Sequence, residues 1–326
     1  MYPIRFKPIL KTKVWGGHRL LEIKKRQLTR IDASKRYGES WDLSGLEGNM
    51  SVASNGFLKG NSLQEIIEVY MGDLVGEAVF DRYGLDFPLL VKTLDCDDKL
   101  SVQVHPNDEL AAERHGKCGK SEMWYIVSAE PDAVIYIGFK DKHITREQYI
   151  EAVAEGTIAD IIEPVPVKAG DVFYIPAGTV HALSKGVVAV EIQQPVDLTY
   201  RIFDWNHVDE NGCARELHTA LAVDAIDFES TAATCRRTYT AEDNKAVEAV
   251  KCDYFTTNIL TVNGSAERDY CELDSFVIYM CVAGEADIDD GTNHDHLTAG
   301  DVVLIPAETG DVTLRGKATI VESYIA

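Results

Sequence analysis

Residues 169–179 read AGDVFYIPAGT, and residues 299–309 repeat them as AGDVVLIPAET, with eight identities in eleven positions. Each copy opens with a Gly-Asp turn, continues as an apolar run and stops at a proline, which cannot donate a hydrogen bond to a neighbouring strand. The pattern is typical of a buried strand between two turns. Its repetition predicts two related β-rich domains.

Strand-like segments dominate the rest of the chain, and helical patterns are few. Capping-box pairs, Ser62 with Glu65 and Thr145 with Gln148, predict helices between residues 60 and 85 and around 145–156. Shorter helices are expected after Asn107 and over residues 215–224. The sequence therefore predicts a mainly β fold with a few short helices. The polar stretch 230–244 is the expected linker, which gives domains of residues 1–233 and 234–326.

Composition excludes several classes of function. The chain has 326 residues, and 32 Lys and Arg against 53 Asp and Glu give a formal net charge of −21. Such a surface repels nucleic acids, and no basic stripe offsets it. No run of 18 apolar residues predicts a membrane span, and the first residues lack the apolar stretch of a secretory signal. Seven cysteines without a C-x-x-C pair favour reduced thiols, so we expect a cytoplasmic protein without nucleic-acid or membrane partners.

Four residues form a candidate metal site. Gln103 and His105 are two positions apart on a predicted strand, so their side chains leave the same face. Glu122 opens a later strand, and His181 follows the first copy of the repeat. The second copy has Asp311 in the place of His181, so we expect no metal in the second domain. Two imidazoles, a carboxylate and an amide oxygen suit one Zn²⁺, with Mn²⁺, Fe²⁺ or Co²⁺ as alternatives.

A further segment alternates polar residues onto one face. Asp197, Thr199 and Arg201 are each two positions apart. A charged pair that points inward is costly unless it meets a polar cavity. The segment is therefore either a wall of such a cavity or an edge strand with a surface Asp–Arg pair.

Several motifs occur in an order and spacing that resembles type I mannose-6-phosphate isomerase. The resemblance covers residues 1–210 strongly and the remainder by general layout. It is carried by the stretches FPLLVK (87–92), LSVQVHPND (100–108), GKSEMWY (119–125), IPAGTVHA (175–182) and QPVDLTYRIFDW (194–205), with WGG (15–17) and GESW (38–41) near the N-terminus.

The resemblance implies a fold and a set of site residues. The family is a zinc-dependent cupin with double-stranded β-helix, or jelly-roll, domains, and the chain is similar to its short bacterial form, without the large helical insertion between residues 125 and 175. The resemblance implies Gln103, His105, Glu122 and His181 as metal ligands. It also implies Lys120, Asp197 and Arg201 as further active-site residues.

The reaction implied is the interconversion of mannose 6-phosphate and fructose 6-phosphate through a cis-enediolate. Such chemistry needs a base near C2 and a stabilised oxyanion. Arg201 is expected to stabilise that charge or to bind substrate, together with Ser101 and Lys120. The base is left open between Lys120 and Asp197.

Two other classes of function remain open. A non-catalytic metal-binding cupin that senses or binds sugar phosphates would not need Lys120 and Arg201. An iron-dependent cupin oxygenase usually binds its metal with histidine and carboxylate alone, so Gln103 argues against it.

Overall fold

A computed structural model describes residues 1–29, 31–209 and 211–325, and antiparallel strands are the main secondary structure of these residues. The first part contains β1 (Ile4–Arg5), β2 (Ile9–Gly17), α1 (Arg19–Ile23), β3 (Tyr37–Ser44), α2 (Leu63–Val75), α3 (Glu77–Tyr83), β4 (Leu90–Cys96), β5 (Val102–Val104), α4 (Asp108–His115), β6 (Glu122–Ala129), β7 (Val134–Phe139), α5 (Arg146–Glu155), α6 (Ile158–Ile161), β8 (Ile162–Pro166), β9 (Val172–Ile175), β10 (His181–Leu183), β11 (Val187–Gln193), β12 (Tyr200–Phe203) and α7 (Thr219–Ala225). The remainder contains α8 (Ala232–Cys235), β13 (Arg236–Arg237), β14 (Ala246–Lys251), β15 (Thr256–Asp269), β16 (Val277–Asp289), β17 (His294–Thr298), β18 (Val302–Ile305) and β19 (Asp311–Tyr324). The predicted mainly β fold with few short helices is confirmed.

The strands form three sheets. The large sheet has the order β13-β9-β6-β11-β4-β2-β3, and the site sheet has the order β12-β5-β10-β7-β8. The C-terminal sheet has the order β1-β18-β16-β19-β15-β14, with β17 paired to β16. The two copies of the repeat supply β9 and β18, each of which ends immediately before a proline. The repeat is thus a structural correspondence between the two β units.

The site sheet separates two apolar cores. Trp124, Phe173 and Leu183 belong to the core that includes side chains of both the large sheet and the site sheet. Val102 and Val104 belong to another core, with side chains of α5 and α7. Because successive side chains of a strand point to opposite faces, this arrangement turns Gln103 away from the helices.

Further apolar clusters hold the C-terminal part in place. One lies inside the C-terminal sheet and includes Leu260, Tyr279 and Leu314. Another joins residues of the large sheet, of α2 and α3, and of the C-terminal sheet, including Met123 and Leu304. Burial of apolar area contributes roughly 25 cal/mol per Å² to the free energy of folding, so such clusters stabilise the packing of the sheets and helices on one another.

The helix signals of the sequence are mostly confirmed. Both capping boxes form, at the start of α2 and of α5. The helix expected over residues 215–224 begins only at Thr219. The preceding residues stay irregular because the carbonyl of Glu216 accepts a hydrogen bond from Arg201 and the Arg215 guanidinium is bonded to Asp204.

The predicted domain division at residue 233 stays a prediction. Two segments cross it in the sheets: β1 pairs with β18, and β13 pairs with β9. The stretch expected as a linker holds α8 and β13. None of the helices in the described part of the chain is long and apolar enough to cross a membrane.

Candidate metal centre and adjoining cavity

Three potential metal ligands converge between the large sheet and the site sheet. His105 follows β5, Glu122 begins β6 and His181 begins β10. All three are buried, and one ligand atom from each lies within 4.8 Å of the other two. The strand order brings together residues that are up to 76 positions apart, because β5 and β10 are neighbours in the site sheet.

The register of the site sheet adds Gln103 and Arg201 to this group. Gln103 on β5 lies opposite His181 on β10 and opposite Arg201 on β12. Residues directly opposite each other on paired strands point to the same face. A row of three side chains therefore runs across the sheet on the face that also carries the metal-ligand candidates. The terminal amide of Gln103 lies 3.3 Å from Nε2 of His181.

Backbone carbonyls orient both imidazoles. Nδ1 of His105 is 2.9 Å from the Leu198 carbonyl oxygen, and Nδ1 of His181 is 2.8 Å from the Thr179 carbonyl oxygen. A carbonyl can only accept a hydrogen bond, so each Nδ1 carries the proton and each Nε2 presents a lone pair. The two Nε2 atoms face the Glu122 carboxylate at 3.5 and 3.4 Å.

The surroundings of the Glu122 carboxylate show whether a metal ion fits between these ligands. Both carboxylate oxygens are buried and accept no hydrogen bond among the described residues. Their nearest cation is Nζ of Lys120, which lies 2.8 Å from Oε2. Lys120 pairs with one oxygen only, and a buried carboxylate oxygen without a hydrogen bond is costly. A divalent cation between this carboxylate and the two Nε2 lone pairs would satisfy all three groups, so the donor set fits a metal ion.

Electrostatics favour the protonation states that metal ligands require. Burial, reinforced by the charge of Lys120, lowers the pKa of His105 to about 3. Burial also lowers the pKa of His181. For Glu122 burial acts in the opposite direction, but Lys120 and the two histidines outweigh it and hold the pKa well below its usual range. Neutral imidazoles and an ionised carboxylate result.

A cavity of about 290 Å³ adjoins the candidate ligands. The residues predicted for catalysis or substrate binding, Ser101, Lys120, Asp197 and Arg201, all line it. The rest of the lining consists of Lys13, Trp15, Glu39, Lys92, Leu94, Leu100, Gln103, Glu191, Thr199 and Arg215. A larger cavity of about 720 Å³, bordered by Trp41 and Tyr254, shares Asp197 with it.

The structure decides between the two interpretations of the Asp197–Arg201 segment. Although β12 is an edge strand, Arg201 has no carboxylate within 4.0 Å among the described residues, so the surface Asp–Arg pair does not form. Its Nη1 donates to the Glu216 carbonyl oxygen at 2.7 Å, and its buried Nε has no partner in the described part of the chain. Arg201 therefore belongs to the cavity wall.

Sequence reasoning assigned no role to two charged pairs in this wall. Nζ of Lys92 lies 2.8 Å from Glu191, and Nζ of Lys13 lies 2.8 Å from Glu39. Burial would raise the pKa of Glu39, but Lys13 and Lys92 outweigh it and lower the pKa to about 2. The available signal was a single charge within an apolar run, as in Leu-Leu-Val-Lys at residues 89–92. Sequence reasoning also missed Arg215, which the structure brings into the same wall.

A second group of potential ligands lies in the C-terminal sheet. Asp269, Cys271 and Asp311 bring ligand atoms within 4.8 Å of one another, but all three residues are exposed. Exposed acidic groups of this kind are ordinary surface features. The absence of a metal from the second domain stays a prediction.

Comparisons with known proteins identify similar chains. Residues 4–136 match the family described as phosphomannose isomerase type I, catalytic domain, and residues 245–325 match mannose-6-phosphate isomerase, cupin domain. The chain is 35% identical to mannose-6-phosphate isomerase ManA of Bacillus subtilis (strain 168), over 99% of each chain. It is 31% identical to a mannose-6-phosphate isomerase of Streptococcus mutans, over 99% of this chain and 98% of that one. The crystal structure of the mannose 6-phosphate isomerase from Bacillus subtilis superposes with a TM-score of 0.87 at 32% identity, covering 100% of both chains.

Proposed function

Because the chain belongs to the type I mannose-6-phosphate isomerase family and is an isomerase, we propose that it interconverts mannose 6-phosphate and fructose 6-phosphate with one Zn²⁺ per chain. The observation that carries the proposal is the buried Glu122 carboxylate, whose two oxygens face two imidazole lone pairs at the end of a polar cavity. His105, Glu122, His181 and Gln103 hold the ion.

The metal supplies positive charge that polarises and positions sugar oxygens when it is bound. The opposite end of the row across the site sheet is Arg201, whose guanidinium is permanently charged. Arg201 donates hydrogen bonds to the oxyanion that develops when a proton leaves the carbon next to the carbonyl group. This placement stabilises the cis-enediolate more than the ground state, which is the requirement for rate acceleration.

Proton movement falls to Lys120 and Asp197. Nζ of Lys120 lies between Glu122 and His105, at 2.8 and 3.1 Å, so it holds a proton at the metal end of the cavity. From there it donates a proton to the carbonyl oxygen of the sugar and recovers one from the neighbouring hydroxyl. Asp197 is an acceptor on the wall without an ion pair among the described residues, and it takes the proton from one carbon and returns it to the neighbouring carbon. Ser101, which is buried and lines the same wall, donates its hydroxyl hydrogen to the substrate.

The same proposal places the enzyme in the cytoplasm. All seven cysteines are free, and Cys213 and Cys271 are exposed. Free exposed thiols are characteristic of a reducing compartment.

A coupled assay of mannose 6-phosphate conversion tests the reaction and the metal together. Chelator treatment should abolish turnover, and Zn²⁺ should restore it more fully than Mn²⁺, Fe²⁺ or Co²⁺. Undiminished turnover by metal-free protein would contradict the metal assignment. Binding of the sugar phosphate without turnover would instead identify a non-catalytic cupin.

Isotope exchange tests the enediolate. A proton that passes through an acidic group exchanges with solvent, so product formed in deuterium oxide should carry deuterium at the carbon that receives the proton. Complete retention of the substrate hydrogen would show that the proton does not exchange with solvent, as expected for direct transfer between carbons or for a base shielded from water.

A further inference from the structure

A second guanidinium reaches the cavity from outside the site sheet. Arg215 lies in the irregular segment between β12 and α7, and its side chain lines the same cavity as Arg201. It is partly buried, with 25% of the side chain exposed. It lies outside the set of metal ligands and has no role in the proton transfers described above.

Asp204 holds this guanidinium in one orientation. Nε of Arg215 donates to Oδ2 of Asp204 at 2.8 Å, and Nη2 donates to Oδ1 of the same carboxylate. Asp204 is itself only 6% exposed and directly follows β12. A bidentate pair of this kind fixes the plane of the guanidinium, so little entropy remains to be lost when it binds a ligand. Nη1 has no acceptor among the described residues.

Positive charge is in excess at this end of the cavity. Lys13 and Lys92 are each matched by a carboxylate in the wall. Arg201, in contrast, has no ion pair among the described residues, and the carboxylate of Asp204 faces Arg215 and, at 3.6 Å, Nδ1 of His207. Asp197 also lines the cavity but lies within 4.0 Å of neither guanidinium in the described part of the chain. Burial and the charge of Arg215 lower the pKa of Arg201, although Asp204 and Glu216 act in the opposite direction.

The two arginines differ in their relation to the metal centre. Arg201 lies directly opposite Gln103, a proposed ligand, whereas Arg215 approaches from a loop beyond the edge strand β12. A sugar phosphate is extended, with its reacting carbons at one end and its phosphate at the other. The end beside Gln103 suits the reacting oxygens, and the loop side suits the phosphate.

We propose that Arg215, oriented by Asp204, binds the phosphate group of the substrate and sets the preference for phosphorylated sugars, while Arg201 serves the reacting end. This inference rests on the proposed function. Its chemical basis is the free Nη1 donor of a preorganised guanidinium beside Arg201, a second guanidinium without an ion pair among the described residues. Charge-assisted hydrogen bonds from such guanidiniums suit a phosphate dianion.

The test compares Arg215→Met with Arg236→Met. Arg236 is a suitable control because it also pairs with an aspartate, Asp171 at 3.0 Å, but lies outside the cavity lining. Each protein is assayed for kcat and KM with mannose 6-phosphate, for inhibition by inorganic phosphate, and by calorimetry for binding of mannitol 6-phosphate and mannitol.

Loss of a charged hydrogen-bond donor should raise KM and the phosphate inhibition constant of Arg215→Met by about 10- to 100-fold. Its kcat should change by less than about threefold, and binding of mannitol should match the control, since that ligand carries no phosphate. Arg215→Lys should recover part of the affinity, because an ammonium keeps the charge but not the fork. Asp204→Asn should also raise KM, by a smaller factor than Arg215→Met.

Other outcomes separate the two proposals. Arg215→Met and Arg215→Lys with the KM and phosphate inhibition of the control would overturn the inference and leave the isomerase function intact. A wild-type protein that binds mannitol 6-phosphate through Arg215 but does not turn over mannose 6-phosphate would overturn the proposed function and retain the phosphate site. If Arg215→Met melts below the assay temperature, the comparison of Arg215→Lys with wild type decides.

Discussion

Replacement of Arg201 by alanine should damage catalysis far more than stability. The structural cost follows from the contacts of the side chain. The side chain of Arg201 makes one hydrogen bond, to the carbonyl of the exposed residue Glu216, and no ion pair among the described residues. Water can replace that donor at the exposed carbonyl, so the free energy of unfolding should fall by about 1 kcal/mol. In a protein of this size, that corresponds to a melting temperature lower by about 2–4 °C.

The catalytic cost should be larger. A preorganised donor aimed at a developing oxyanion commonly contributes about 10²–10³ in rate, or roughly 3–4 kcal/mol. The effect should appear in kcat, with a smaller change in KM, because the interaction strengthens in the transition state. Arg201→Lys should recover only part of the rate, since an ammonium does not reproduce the planar fork.

Three measurements on Arg201→Ala decide the matter: kcat, zinc content and melting temperature. The zinc content should match wild type, because Arg201 lies beside Gln103 without being a ligand. A near-normal kcat combined with a large drop in melting temperature would show that Arg201 is a structural strut. Loss of zinc would show that the row Arg201–Gln103–His181 is needed to assemble the metal centre.

The remaining predictions concern the metal, a buried ion pair and acid stability. Elemental analysis should find about one metal ion per wild-type chain, a strongly reduced content in His181→Ala, and an unchanged content in the control Asp269→Ala; full content in His181→Ala would refute the ligand assignment. Lys24→Met should lower the free energy of unfolding by about 3–5 kcal/mol in urea titrations, because Nζ of Lys24 lies 2.8 Å from Asp42 and the two side chains are only 1% and 2% exposed. The second substitution Asp42→Asn in the same chain should recover part of the loss. A change below about 1 kcal/mol would contradict a stabilising role of the pair. Glu39, whose pKa of about 2 lies below its usual 4.5 because the two neighbouring lysines outweigh burial, stabilises the fold above pH 4.5 and loses that contribution as the pH falls towards 2. The stability gap between wild type and Glu39→Gln should therefore shrink by roughly 2–3 kcal/mol between pH 6 and pH 2.5 in urea titrations, and a constant gap would argue against the depressed pKa.

Local features of the fold were predictable because they depend on neighbours along the chain. The turn–strand–proline repeat appears as β9 and β18, and the capping boxes start α2 and α5 as expected. The side-chain alternation of β5 likewise separates Gln103 from Val102 and Val104. Periods of two and 3.6 residues are intrinsic to strands and helices, so they can be read without knowledge of the partners.

Contacts between residues that are far apart in the chain cannot be predicted from these local patterns. Strand β1, near the start of the chain, pairs with β18 at the edge of the C-terminal sheet. Neither strand has a sequence feature that identifies the other as its partner. The irregular run before Thr219 is a similar case. A helix was expected there, but bonds from Arg201 and to Asp204 hold the segment in another conformation.

Sequence by itself determined the fold class, the repeat, the residue types of the candidate metal site and, through resemblance, the family. Only the tertiary structure decided how those residues meet. The register of the site sheet sets Arg201 and His181 on either side of Gln103, and two carbonyls turn the imidazoles so that their lone pairs face Glu122. The structure alone also brings Arg215 into the cavity. The physical reason is that register and loop position follow from the packing of both faces of a sheet, in which each strand's partners come from remote parts of the chain.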